Sequence, residues 1–156
     1  MYVVFDDISS KARVWIFLAD RILSDEEQQL LKDKSITFIQ QWTSHQQEVK
    51  GSYALLHDAV WVIAADNAYA QVGGCSTDSL LRFVQDTQQL LNVDFFDRKK
   101  VLLLSNGRAQ VCPMDRLSST DSLNDYHILN PLIDVKEDMA TSLFLPFAKS
   151  RYASLV

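Results

Sequence analysis

Two six-residue runs decide most of what this chain can fold into. Val14-Trp15-Ile16-Phe17-Leu18-Ala19 and Val60-Trp61-Val62-Ile63-Ala64-Ala65 are apolar at every position, and each is followed by an aspartate, Asp20 or Asp66. Short runs rich in aromatic and β-branched residues read as strands rather than helices. A strand with one wet face alternates apolar and polar residues. Here Val14, Ile16 and Leu18 lie on one face, and Trp15, Phe17 and Ala19 on the other. Both faces therefore need cover, so layers must stand on either side of the sheet these strands form. At 156 residues, 47% of them hydrophobic and 22% charged, one domain can supply that cover.

The stretches between the runs supply the other elements. Ser24 with Glu27 fits a capping box, and Asp25, Glu26 and Glu27 suit the positive end of a helix. That helix is expected from about Asp25 to about Ser44, with Leu30, Leu31, Phe38, Ile39 and Trp42 inward. A strand follows over Val49 to Leu56, then a tight turn at His57-Asp58 and the second apolar strand, Ala59 to Asp66. A second helix starts near Ser76 or Thr77 and runs to about Leu91, burying Leu80, Leu81, Val84, Leu90 and Leu91, with Asn92 as its C-cap. Val101–Ser105 and Ala109–Cys112 flank Asn106-Gly107, the strongest short hairpin signal. Residues 115–125 read as a surface loop, Tyr126–Leu129 as a short strand and Asp134–Thr141 as a short helix.

The two matched runs, each followed by a helix and a strand, suggest tandem βαβ units. The expected fold is an α/β (α+β) ferredoxin-like βαββαβ sandwich with an added hairpin strand. Its core covers residues 12–112, and residues 113–156 form a C-terminal covering segment. In that topology the matched strands are parallel neighbours with both helices on one face. The opposite face is covered by Leu143, Phe144, Leu145 and Phe147, or by a second copy in a symmetric homodimer.

Composition narrows function. A net charge of −5 opposes nucleic acid unless bases cluster, and the densest group, Arg98-Lys99-Lys100, lies beside Asp94 and Asp97. No apolar run approaches the roughly 20 residues of a membrane span. The N-terminus has no basic region followed by an apolar core, so a cytoplasmic location is expected, with Cys75 and Cys112 as free thiols. The cysteines and His45, His57 and His127 have no metal-ligand spacing, and neither metal nor cofactor is expected.

Residues spread over most of the chain carry a resemblance. Arg13-Val14-Trp15-Ile16, Phe38 to His45, Gly74 to Ser79, Arg82-Phe83-Val84-Gln85 and Asp97-Arg98 resemble a family of small uncharacterised bacterial proteins often given the automatic label "ABC transporter ATPase". The resemblance implies no established activity and no assigned catalytic residue. The residues oppose the label. A phosphate-binding P-loop needs a glycine-rich turn ending in Gly-Lys-Ser/Thr. The only candidate, Gly73-Gly74-Cys75-Ser76-Thr77-Asp78-Ser79, has no lysine.

That stretch is still the first candidate site. Gly73 and Gly74 before a helix leave free N–H groups and a positive dipole facing the loop, a place for an anion or ligand held with Ser76 and Thr77. Cys75 there is a candidate nucleophile, with Asp78 beside it. A glycine turn, a Ser or Thr cap and a small buried Cys75 explain the same residues without function. Asp20 and Asp66 are the second candidate. On parallel neighbouring strands both carboxylates would share the sheet's C-terminal edge, where open α/β sheets bind ligands. Asp94-Phe95-Phe96-Asp97-Arg98 either makes contacts or folds its aromatics over the core. The reading that follows is a non-catalytic domain binding a protein or small-molecule partner. The alternative is a small thiol-dependent enzyme using Cys75.

Overall fold

The computed structural model describes residues 1–156. In chain order the elements are β1 (Arg13–Leu18), α1 (Asp25–Gln41), β2 (Thr43–Ser44), β3 (Gln47–Glu48), β4 (Gly51–Leu56) and β5 (Val60–Ala65). Then come α2 (Gly74–Leu91), β6 (Lys100–Ser105), β7 (Arg108–Pro113), β8 (His127–Leu129), α3 (Met139–Ser142) and β9 (Phe144–Pro146), with short 3-10 turns between. The fold is α+β, and every strand pairing within its sheets is antiparallel.

The two apolar runs are neighbours, as expected, but their direction is not the expected one. β1 pairs with β5 antiparallel, with Arg13 opposite Ala65 and Leu18 opposite Val60. The sheet order is β1-β5-β4, and the strand after α2 belongs to a second sheet, β7-β6-β8-β9. This corrects the expected ferredoxin-like pairing, which needs β1 and β5 parallel and β6 in the same sheet. The two runs resemble each other because both are buried on two faces. Burial on two faces fixes composition and says nothing about strand direction.

Alternation then sorts the side chains. Trp15 and Phe17 of β1 share a face with Trp61 and Ile63 of β5 and with Gly51 and Tyr53 of β4. The helices cover this face. Trp61 donates its Nε1–H to Ser35 Oγ on α1 at 3.0 Å and meets the Phe83 ring on α2 edge-on at 5.6 Å. Gly51 is required here by close approach: a Cβ would stand 3.0 Å from Ile39 Cγ2 and 3.0 Å from the Ala64 carbonyl.

The opposite face, Val14, Val60, Val62 and Ala64, joins Leu102 of β6, Leu129 of β8 and Leu143 in one core cluster. On β6 the alternate residues Val101 and Leu103 point away and join Ile128, Leu117, Leu123, Phe147 and Tyr152 in a second cluster. The molecule thus has four layers: helices, three-stranded sheet, four-stranded sheet and an outer skin of 3-10 turns. Of the residues expected to cover that face, Leu143 and Phe144 pack on the first core; Phe147 belongs to the second cluster and Leu145 to neither, and Leu102 of β6 shares the covering role. Residues 113–156 also add β8 and β9 to the sheet itself.

Local signals mostly held. The Ser24–Glu27 capping box is present in both directions, and Asn92 is a left-handed C-cap at φ 53°. His57 and Asp58 turn with φ of 50° and 58°, and Asn106 and Gly107 turn with φ of 52° and 76°. α1 ends at Gln41 rather than Ser44, because Trp42 leaves the helix at ψ 125° and donates its Nε1–H to the Ser76 carbonyl. The chain then turns at His45 and Gln46, both at positive φ, into the small β2–β3 hairpin. Leu90, expected inside, is 57% exposed. No helix is long and apolar enough to cross a membrane.

Candidate functional site

The Gly73–Asp78 stretch forms the entry to α2. Gly73 is the N-cap, so neither Ser76 nor Thr77 caps the helix as expected. Ser76 is buried instead, donating to the Thr43 carbonyl at 3.2 Å, while Thr77 Oγ1 donates back to the Gly73 carbonyl at 3.0 Å. The two hydroxyls are thus used inside the fold. His45 of the β2–β3 turn lies beside Gly73, its Nε2 3.4 Å from where a Cβ would stand. Cys75 is exposed rather than a buried plug, and its thiol makes no hydrogen bond. Asp78 is exposed too and makes no ion pair with Arg82, one helical turn on; the ion pairs are Lys11–Glu137 and Arg21–Glu27.

Asp20 and Asp66 do not meet. Antiparallel pairing sends them to opposite ends of the sheet, separated by the length of β1, about 20 Å for six residues. Each has a local task. Asp20 Oδ1 accepts the Asp94 N–H at 3.2 Å, and Asp66 Oδ1 accepts the Ala68 N–H at 3.0 Å. The shared carboxylate edge is therefore corrected, since it rested on parallel strands.

A cleft of about 380 Å³ stands elsewhere, between the outer edge of β1 and the start of β6. That volume lies within the usual range for small-ligand sites. Its walls are mainly apolar, with Ile16, Leu18, Phe96, Leu102 and Leu132 among them. Phe96 is 38% and Leu132 67% exposed, so the rim keeps apolar surface in water. In the Asp94–Arg98 segment only one of the two aromatics folds over the core. Phe95 is buried against Trp61 at 5.1 Å, while Phe96 stays at the rim, edge-on to Phe17 at 5.9 Å.

Charge is unevenly placed around this cleft. Arg98, Lys100 and Arg151 line it, with Asp97 as the single acid. None of these three bases has a carboxylate within 4.0 Å. Asp97 is partly engaged, its Oδ1 accepting the Lys99 N–H at 2.9 Å. In a chain of net charge −5, this is a local reversal of sign. Apolar walls lower the local dielectric and strengthen attraction between those bases and an anion.

The sequence holds part of this site in plain view, in Phe96, Arg98 and Lys100. The flanking aspartates hid it by making the basic group look neutralised. Arg151 and Leu132 carry no sequence signal, because only the second sheet brings residues 129–152 beside β1. No group of His, Cys, Asp and Glu is arranged to hold a metal ion. Compared with known proteins, the chain matches no family model, no curated protein and no solved structure.

Proposed function

We propose that this protein is a non-catalytic binding domain of the cytoplasm, and that its site is the cleft between β1 and β6. The occupant carries both apolar surface and negative charge. The observation that carries this reading is the set of three bases without carboxylate partners, Arg98, Lys100 and Arg151, around an apolar cleft in an acidic chain. Few convergent polar groups on an apolar wall are the usual make-up of a ligand site. Hydrophobic burial supplies affinity there, and the charges supply orientation and choice of partner.

Anilinonaphthalene sulfonate, an anionic aromatic dye, matches that chemistry and serves as a probe of the folded protein. The expected result is one saturable site whose affinity falls about tenfold or more in Arg98→Glu/Arg151→Glu, both positions being exposed. Cys75→Ser should leave the affinity unchanged. Dye binding indifferent to the double charge reversal, or lost in Cys75→Ser, would contradict the assignment.

A further inference from the structure

The cleft has one wall that is backbone. β1 is an end strand of its sheet, so one of its edges is not paired with a strand of that sheet. In a strand, alternate residues turn N–H and C=O to the same side. Ala19 N–H bonds inward to the Ala59 carbonyl, which places the odd-numbered residues toward β5 and the even-numbered ones outward. At one end of the outer edge, Val14 N–H reaches the Asp134 carbonyl at 2.9 Å, and the Ala12 carbonyl accepts from Lys136 N–H at 2.9 Å. At the other end Asp20 N–H reaches the Asp94 carbonyl at 3.0 Å. Between these two points Ile16 and Leu18 turn their N–H and C=O groups outward, and no strand pairs with them. Both residues line the cleft.

We propose that the occupant of this cleft is an extended acidic peptide segment of a partner protein, which adds to the outer edge of β1 and bonds Ile16 and Leu18. This rests on the reading of the cleft as the binding site and specifies what fills it. An open edge with donors and acceptors at a strand's repeat is matched by another strand, since unpaired backbone groups lose hydrogen bonds when an apolar ligand covers them. Addition of a peptide strand to such an edge is a recurring mode of recognition, with main-chain bonds giving affinity and flanking pockets giving choice. The gap from Val14 to Asp20 spans about 20 Å, so a segment of a few residues fits between the two pairs already made. Arg98, Lys100 and Arg151 select acidic side chains on that segment. The same bases oppose a second copy of this chain, whose own bases would meet them across a β1–β1 pairing.

The test uses the full chain and a capped peptide of about seven residues alternating valine and glutamate. Three controls accompany it: the same peptide with alternate amides N-methylated, the valine–lysine version, and the Arg98→Glu/Arg151→Glu protein. Amide exchange is followed by NMR. The expected result is saturable binding that slows exchange at Ile16 and Leu18 by tenfold or more. N-methylation and the charge reversal should each weaken binding about tenfold, and the lysine peptide should not bind. If the acidic peptide binds in the cleft but the Ile16 and Leu18 amides are unchanged, or N-methylation has no effect, strand addition is wrong while the cleft assignment stands. If neither the peptide nor the anionic dye binds, the cleft assignment itself fails. A peptide-free dimer with Ile16 and Leu18 already protected would overturn the proposal in favour of self-association.

Discussion

At the scale of single residues, the fold rests on groups whose partners can be named. Ser52 is the exception. It is fully buried on β4, and its hydroxyl has no hydrogen-bond partner. A buried polar group without a partner costs about 1–3 kcal/mol, so Ser52→Ala should raise stability by about 1 kcal/mol in chemical denaturation. An unchanged or lower midpoint would mean that the hydroxyl is bonded after all. Glu27 is the opposite case. Its carboxylate receives a two-pronged Arg21 guanidinium, both bonds at 2.7 Å, and the Ser24 N–H at 2.9 Å. Chiefly the Arg21 bond holds its pKa down at about 2 instead of 4.5. A carboxyl whose pKa is lower in the folded state stabilises fully above its unfolded pKa and loses that contribution as pH falls. Glu27→Gln should therefore cost about 1 kcal/mol near neutral pH, discounted for solvent screening, and the difference should shrink between about pH 4.5 and 2. A difference independent of pH would show that the charge does not matter. Both halves of that capping box were legible in the sequence because its partners lie three residues apart.

At the scale of elements, local chemistry fixed what tertiary packing did not overrule. The Asn106-Gly107 hairpin formed as read, with Ser105 opposite Arg108. Gly107 sits at φ 76°, so Gly107→Val should destabilise by about 1 kcal/mol or more, whereas Gly107→Asn should cost less. Equal stability of the valine variant and the parent would contradict this turn geometry. The end of α1 was not legible in the same way. Trp42 continues the helical apolar stripe in sequence, but its ring N–H is held by the Ser76 carbonyl of α2. The small β2–β3 hairpin that follows has no Asn-Gly or Asp-Gly signal, only His45 and Gln46 at positive φ. The N-cap of α2 also moved, to Gly73, because Ser76 is buried against Thr43 and cannot serve the helix end.

At the scale of the whole molecule, the sequence revealed the need for two covered faces but not the order of the strands that cover them. Residue type in β1 and β5 reports burial, and direction comes only from the register of Arg13 with Ala65. The candidate site suffered the same blindness. Asp20 and Asp66 depended on direction and came apart, whereas Phe96 and Arg98 depended on a local loop and stayed together at the cleft. Residues 113–156 are structural rather than a loose cover, since they supply β8, β9 and most of the second core. A chain cut after Pro113 leaves Val101 and Leu103, the β6 residues of the second core, bare, and it should aggregate or bind a hydrophobic dye. A truncated chain that stays folded and monomeric would refute the four-layer arrangement. The central claim, that β1 keeps an open edge facing the binding cleft, is tested most directly by amide exchange in the free protein. Trp15 and Phe17, which turn toward β5, should exchange at least about a hundredfold more slowly than Ile16 and Leu18, which turn into the cleft. Equal protection at all four amides would mean that this edge is already filled, and the account of the site would be wrong.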